Sequence, residues 1–176
     1  MGANPFEQHA APGFDDPLGV LRACHRRIER QLTTLVRLRR HLPEHHADAE
    51  AGSAAAAILR YFDTAAVNHH ADEELSLFPR LAAAMPETAA LTRALEDEHV
   101  ALARRWTRLR PLLAAIVARS GAYLPVKEVD EFCAAYAAHI AAEEGQLLPQ
   151  AQAALAAATL AEIGAEMAAR RDLLPV

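Results

Sequence analysis

Apolar residues recur every three or four positions along most of the chain, and in four separate runs the same phase also picks out a histidine. That spacing is the signature of helices with one buried face. Asp16-Pro17 marks the first start, a capping side chain followed by proline at the first helical position. The stripe then reads Leu21, His25, Ile28, Leu32 and Leu35, with arginines covering the outer face and an end expected near Pro43. A second helix is expected from about Ala49 to the Pro79 region, with Ile58, Phe62, Ala66, His69, Glu73 and Leu77 in phase. Pro79 should kink or end it, and Met85-Pro86-Glu87 should turn the chain. The third stripe is Leu91, Leu95, His99, Leu102, Trp106, Leu109, Leu113 and Ile116, with a kink expected at Pro111 and a left-handed residue at Gly121. The fourth, after Pro125, is Val129, Phe132, Tyr136, His139, Glu143 and Leu147.

The flanks are different in kind. Residues 1–16, with His9, carry no periodicity and read as a tail. Residues 17–150 hold the four helices, and the alanine-rich remainder, 151–176, reads as a short fifth helix packed on them. The expected fold is therefore all-α, an antiparallel up-down four-helix bundle. Composition supports helix, since 52% of the 176 residues are hydrophobic and much of that is alanine. A formal charge of −5 offers no basic footprint for nucleic acid. No apolar run reaches the length of a membrane span, so a cytoplasmic protein is expected. Cys24 and Cys133 stand far apart and read as small buried hydrophobes. His41, His45 and His46 gather at a helix end and read as a polar loop.

The candidate chemistry lies in a repeat. His-x-x-x-Glu-Glu-x-x-Leu-x-Pro occurs at 69–79 and again at 139–149. Residues four apart share a helix face, so each copy presents an imidazole and a carboxylate to one region. Counting residues from the turns puts His25 and His69 at similar heights, about 26 Å against about 30 Å from their connection. His99 and His139 differ more, by about 10 Å, which Pro111 and the Gly121–Pro125 turn would absorb. Four buried imidazoles and two buried carboxylates are costly, at about 1–3 kcal/mol for each unpaired polar group. A metal cluster offsets most of that cost; ion pairs between histidine and glutamate are the metal-free alternative. Nitrogen and oxygen donors without thiolate suit iron, manganese or zinc, and two carboxylates suggest two ions.

One histidine on the first helix, His-x-x-x-Glu followed by Leu-Phe-Pro on the second, Glu-His on the third and His-x-x-x-Glu on the fourth resembles the hemerythrin-like, or HHE cation-binding, domain family. The resemblance covers Pro17 to about Gln150. It implies a non-haem di-iron centre with oxo or hydroxo bridges, in which His25, His69, His99 and His139 are terminal ligands and Glu73 and Glu143 bridge. Oxygen-carrying members have a further histidine one turn before the position of His99; here that residue is Leu95, and Ala103 stands one turn after. The set of four histidines and two glutamates is closer to bacterial di-iron proteins that respond to nitric oxide and oxidative damage and are said to repair iron–sulfur clusters. Those proteins also carry an amino-terminal cysteine-bearing domain, which this sequence does not show. His70, Glu74, Glu98 and Glu144 adjoin the ligand positions and are expected to support the ligands or face solvent.

The expected function is a di-iron module whose open metal position meets oxygen, nitric oxide or peroxide in sensing, storage or stress response. An alternative is a di-iron oxidoreductase that consumes peroxide or nitric oxide or aids iron–sulfur repair, with Tyr136 as a redox or hydrogen-bonding neighbour. A lesser alternative is a metal-free helical interaction domain. No catalytic acid or base stands out beyond the ligands, so no catalytic residue is assigned and enzymatic activity is left open. Manganese or zinc could replace iron in a recombinant sample, and the oligomeric state is not readable.

Overall fold

A computed structural model of the protein describes residues 12–172. Most of the expected tail, with His9, and residues 173–176 lie outside the described residues. The described chain is all-α with no strand, four long antiparallel helices and a fifth across one end. Helix α1 is Pro17–His45. Asp16 caps it by accepting a hydrogen bond from the Gly19 N–H at 2.9 Å. Pro43 lies inside its last turn, where the expected end is overrun by two residues. Helix α2 is continuous over 49–84, and α3 is Ala89–Val117 after a 3₁₀ turn at Pro86–Thr88. Helix α4 covers 126–154, and α5 is Ala157–Asp172. Each of α1 to α4 packs against its two neighbours in chain order around the ring, α4 closing on α1.

Several prolines and one glycine behave differently from expectation. Helix α2 runs past Pro79 to Ala84, and α3 passes through Pro111 without interruption, its proline on the exposed face. The residue in left-handed conformation after α3 is Arg119, with φ 54°, and not Gly121. Arg119 and Ser120 donate backbone hydrogen bonds to Ile116 and Ala115, which closes the helix two residues earlier than the glycine would have done. The height difference between α3 and α4 is taken up by this early stop and the irregular stretch 118–125. At the α1–α2 turn, Asp48 caps α2 through the Ala51 N–H at 2.8 Å and meets His41 Nε2 at 3.0 Å. Of the histidines at that end, His41 thus serves the turn, and His45 stacks on it with ring centroids 4.3 Å apart.

The core is divided. One apolar cluster joins Ile28 to Leu42 of α1 with Ile58, Phe62, Leu109, Leu113, Phe132 and Tyr136. The other joins Leu18, Leu21 and Cys24 with Leu77, Phe78, Leu81, Leu147 and Leu148, and α5 closes its end with Ile163 and Met167. Between the two lies a layer of buried polar residues: His25, His69, Glu73, His99, His139 and Glu143, each at most 3% exposed.

Candidate metal centre

The two copies of the repeat share a backbone feature that their sequence spacing conceals. In each, the first glutamate opens a π-helical turn, Glu73–Leu77 in α2 and Glu143–Leu147 in α4. The Phe78 N–H reaches the Glu73 carbonyl, and the Leu148 N–H reaches that of Glu143, five residues back in both cases. Proline follows at once, at 79 and 149. A prolyl ring has no N–H for the ladder and crowds the carbonyl one turn before it, and a widened turn ahead of the ring relieves both demands without breaking the rod. The helix therefore continues, and one extra residue is accommodated at the level of the polar layer.

All six expected residues meet there. His99 Nε2 is 3.0 Å from His139 Nε2, and His139 Nε2 is 3.0 Å from Glu143 Oε1. Glu73 Oε2 approaches His99 Nε2 at 3.4 Å. On the other side His25 Nε2 is 3.1 Å from Glu143 Oε2 and 4.0 Å from Glu73 Oε1, and His69 Nε2 is 3.7 Å from Glu73 Oε1. Each carboxylate thus turns one oxygen to the His99/His139 pair and the other to the His25/His69 pair. Donor atoms sharing one first-row ion at about 2.1 Å stand about 3 to 3.5 Å apart. The shorter contacts fall in this range, and two four-residue groups result, His25/His69/Glu73/Glu143 and His99/His139/Glu73/Glu143.

The glutamates next to the ligand positions have a distinct task. Glu74 on α2 meets His99 Nδ1 at 2.7 Å, Glu98 on α3 meets His139 Nδ1 at 2.8 Å, and Glu144 on α4 meets His25 Nδ1 at 2.7 Å. A carboxylate on Nδ1 keeps the proton there and leaves the Nε2 lone pair facing the centre. Each helix so orients the histidine of the next. The exception is His69, whose Nδ1 and Nε2 both lack a hydrogen-bond partner. Sequence adjacency puts these glutamates beside the ligand positions without showing which histidine each one touches. The Glu-Glu and Glu-His dipeptides were the available signal.

The unpaired atoms test whether a cation fits. All four oxygens of Glu73 and Glu143 are buried without an aligned hydrogen-bond partner, as are His25 Nε2 and both nitrogens of His69. His25 Nε2 is close to Glu143, but close approach here is not a directed N–H···O bond. Without a cation, burial and then the neighbouring Glu143 charge push the Glu73 carboxyl well up. Burial also opposes ionisation of Glu143, but His139, His25 and His99 outweigh it and hold that carboxyl well below the usual range. Burial similarly lowers His25 and His139, but the facing glutamates reverse the sign and raise both. His69 is pushed down to about 3 by burial. Two divalent ions would meet all of these unpaired atoms except His69 Nδ1, which points away from an ion held by Nε2, so the residues fit a dinuclear nitrogen and oxygen site.

Comparison with known proteins agrees with this geometry. The profile of the hemerythrin HHE cation binding domain matches residues 16–151. The chain belongs to the hemerythrin HHE cation-binding family. It is also 32% identical over 160 residues to an uncharacterised protein of Haemophilus influenzae (strain ATCC 51907 / DSM 11121 / KW20 / Rd), covering 91% of this chain and 92% of the relative. In this HHE domain two further residues adjoin the centre. Tyr136 is buried against Phe62 and Phe132, with ring centroids 5.5 and 5.1 Å away, and so belongs to the apolar cluster. His70 stacks on His99, its ring centroid 3.9 Å away and its plane 11° from parallel.

Proposed function

We propose that this protein is a cytoplasmic non-haem di-iron protein whose incompletely filled metal positions bind oxygen, nitric oxide or peroxide in a sensing, storage or stress role. The observation that supports the reading is the division of the Glu73 and Glu143 oxygens between two imidazole pairs. His25 and His69 would hold one ion, His99 and His139 the other, with both carboxylates bridging. Two nitrogens and two oxygens for each ion leave positions of a six-coordinate iron open to water or a small ligand. Bound iron would supply redox equivalents and those open positions. The protein's own residues orient the ligands through Glu74, Glu98 and Glu144 and keep bulk water out with the two apolar clusters. All six described side chains of the layer are assigned to the ions, which favours binding over dedicated catalysis.

Anaerobic titration with ferrous iron tests this directly. Two irons per chain should be taken up, and the optical spectrum should change on adding nitric oxide, oxygen or peroxide. Saturation at one iron, or a two-iron protein indifferent to all three ligands, would overturn the reading. Consumption of peroxide or nitric oxide over many cycles would move the assignment to an oxidoreductase.

A further inference from the structure

The two halves of the centre differ in what surrounds them. A groove of about 340 Å³ lies between α2 and α3, and its lining includes His70, Glu74 and His99. Its rim carries Val67, Leu75 and Val100, large apolar side chains that are 58%, 64% and 51% exposed. The groove therefore runs from an apolar rim inward to His99, one imidazole of the His99/His139 half. His70 forms part of its wall, and a ring nitrogen of His70 lies within 4.8 Å of those of His99 and His139. Its Nε2 is buried and has no hydrogen-bond partner.

His70 is placed beside that half without being able to share it as a ligand in this arrangement. A metal ion lies in the plane of an imidazole that binds it. Face-to-face stacking of His70 on His99 sets the two ring planes nearly parallel, so their in-plane lone pairs run side by side without converging and the two imidazoles would not hold one ion together. What an unpaired imidazole nitrogen at this position can do is hydrogen-bond a molecule bound next to the ion. The mouth also selects. Its apolar rim and the Glu74 carboxylate disfavour an anion and admit a small neutral molecule.

We infer that a neutral diatomic ligand enters through the α2–α3 groove, binds at the His99/His139 half, and is held there by a hydrogen bond from His70. The inference rests on the di-iron reading above. Nitric oxide is the probe, and its association and dissociation rates on the di-ferrous protein are the readout, with iron content measured on every sample. H70F keeps an aromatic ring on His99 and removes the nitrogens. It should retain two irons and release nitric oxide about five- to thirtyfold faster, the range expected for one lost hydrogen bond. H70Q, which keeps a donor, should restore slow release. L75W should slow association about tenfold or more by filling the mouth, with dissociation slowed to a similar degree and equilibrium affinity nearly unchanged, as expected for an obstructed path. Azide, an anion, should gain affinity relative to nitric oxide in E74Q.

Wild-type protein that holds fewer than two irons, or holds two and does not bind nitric oxide, overturns the di-iron reading and this inference with it. Wild-type protein that loads and binds normally while H70F and L75W match its rates overturns the inference alone. Loss of iron in H70F also overturns it, because His70 would then be a ligand.

Discussion

At the scale of single residues, the centre is asymmetric in its support. The His99/His139 half has a carboxylate behind each imidazole, Glu74 and Glu98, whereas the His25/His69 half has only Glu144 behind His25. Removing such a partner from a ligating histidine commonly lowers metal affinity about 10–100-fold. These three side chains are 37–48% exposed, so solvent can replace part of what they do and the low end applies. Replacing Glu144 with alanine should weaken one ion about tenfold and leave the other nearly unchanged. The double change E74A/E98A should do the reverse. Competition with a chelator, read as a stepwise loss of two ions, distinguishes them; an equal effect on both ions would contradict the division into halves. The six central residues were legible in the sequence because a histidine or glutamate in phase with leucine can only face the core. The pairing of Glu74, Glu98 and Glu144 was not, because a residue one step out of phase has no sequence signal for which helix it touches.

At the scale of elements, a π turn ahead of Pro79 and of Pro149 lets each helix run on, whereas α3 takes Pro111 without one and the π turn at Tyr61–Ala65 has no proline after it. Glu73, Leu77 and Leu81 are buried at steps of four, with Ser76 and Phe78 buried between them, so the buried face widens along the π turn. A run of fours with proline six residues after the glutamate is the trace of this in the sequence, but it reads equally as an ordinary stripe with a break. Arg119 was hidden for a related reason: glycine is favoured in the left-handed region, yet the chain stops at whichever residue lets the closing hydrogen bonds form. Glycines give a test of the element geometry. Gly145 lies in the second π turn with open space where a Cβ would stand, and helical glycine exposed in this way is costly in backbone entropy. G145A should raise stability by about 0.5–1 kcal/mol. Gly164 in α5 is the opposite case, since a Cβ there would lie 1.8 Å from the Phe14 carbonyl oxygen. G164A should destabilise by about 1–3 kcal/mol through overpacking, and chemical denaturation of the two variants checks both signs.

At the scale of the whole molecule, α5 is tied to the centre by charge as well as by Ile163 and Met167. Asp72, next to Glu73 and fully buried, is paired with the guanidinium groups of Arg170 and Arg171, the latter at 2.7 Å. Arg170 also donates to Ser76 at 2.9 Å, Ser76 donates to Glu166 at 2.7 Å, and Arg80 reaches Glu166 at 2.6 Å. Removing both cations leaves a buried carboxylate unpaired, a loss of about 3–5 kcal/mol when complete; the arginines are partly exposed, so about 2–4 kcal/mol is expected for R170A/R171A. Adding D72N to that double variant should recover part of the loss, because it removes the stranded charge. If D72N recovers nothing, the arginines act through packing alone. The same network gives a pH dependence. Arg80, then Ser76, holds the Glu166 carboxyl below its ordinary value. A lowered folded-state value means that the pair stabilises above the unfolded value of 4.5 and that this contribution disappears as pH falls through the lowered one. Amide exchange along α5 should therefore quicken relative to α3 as pH drops below 4.5, after correction for the intrinsic exchange rate, and E166Q should flatten that difference. Because Glu166 lies on the surface of the network, the change should be modest, and it should concern the attachment of α5 while the four-helix ring stays folded.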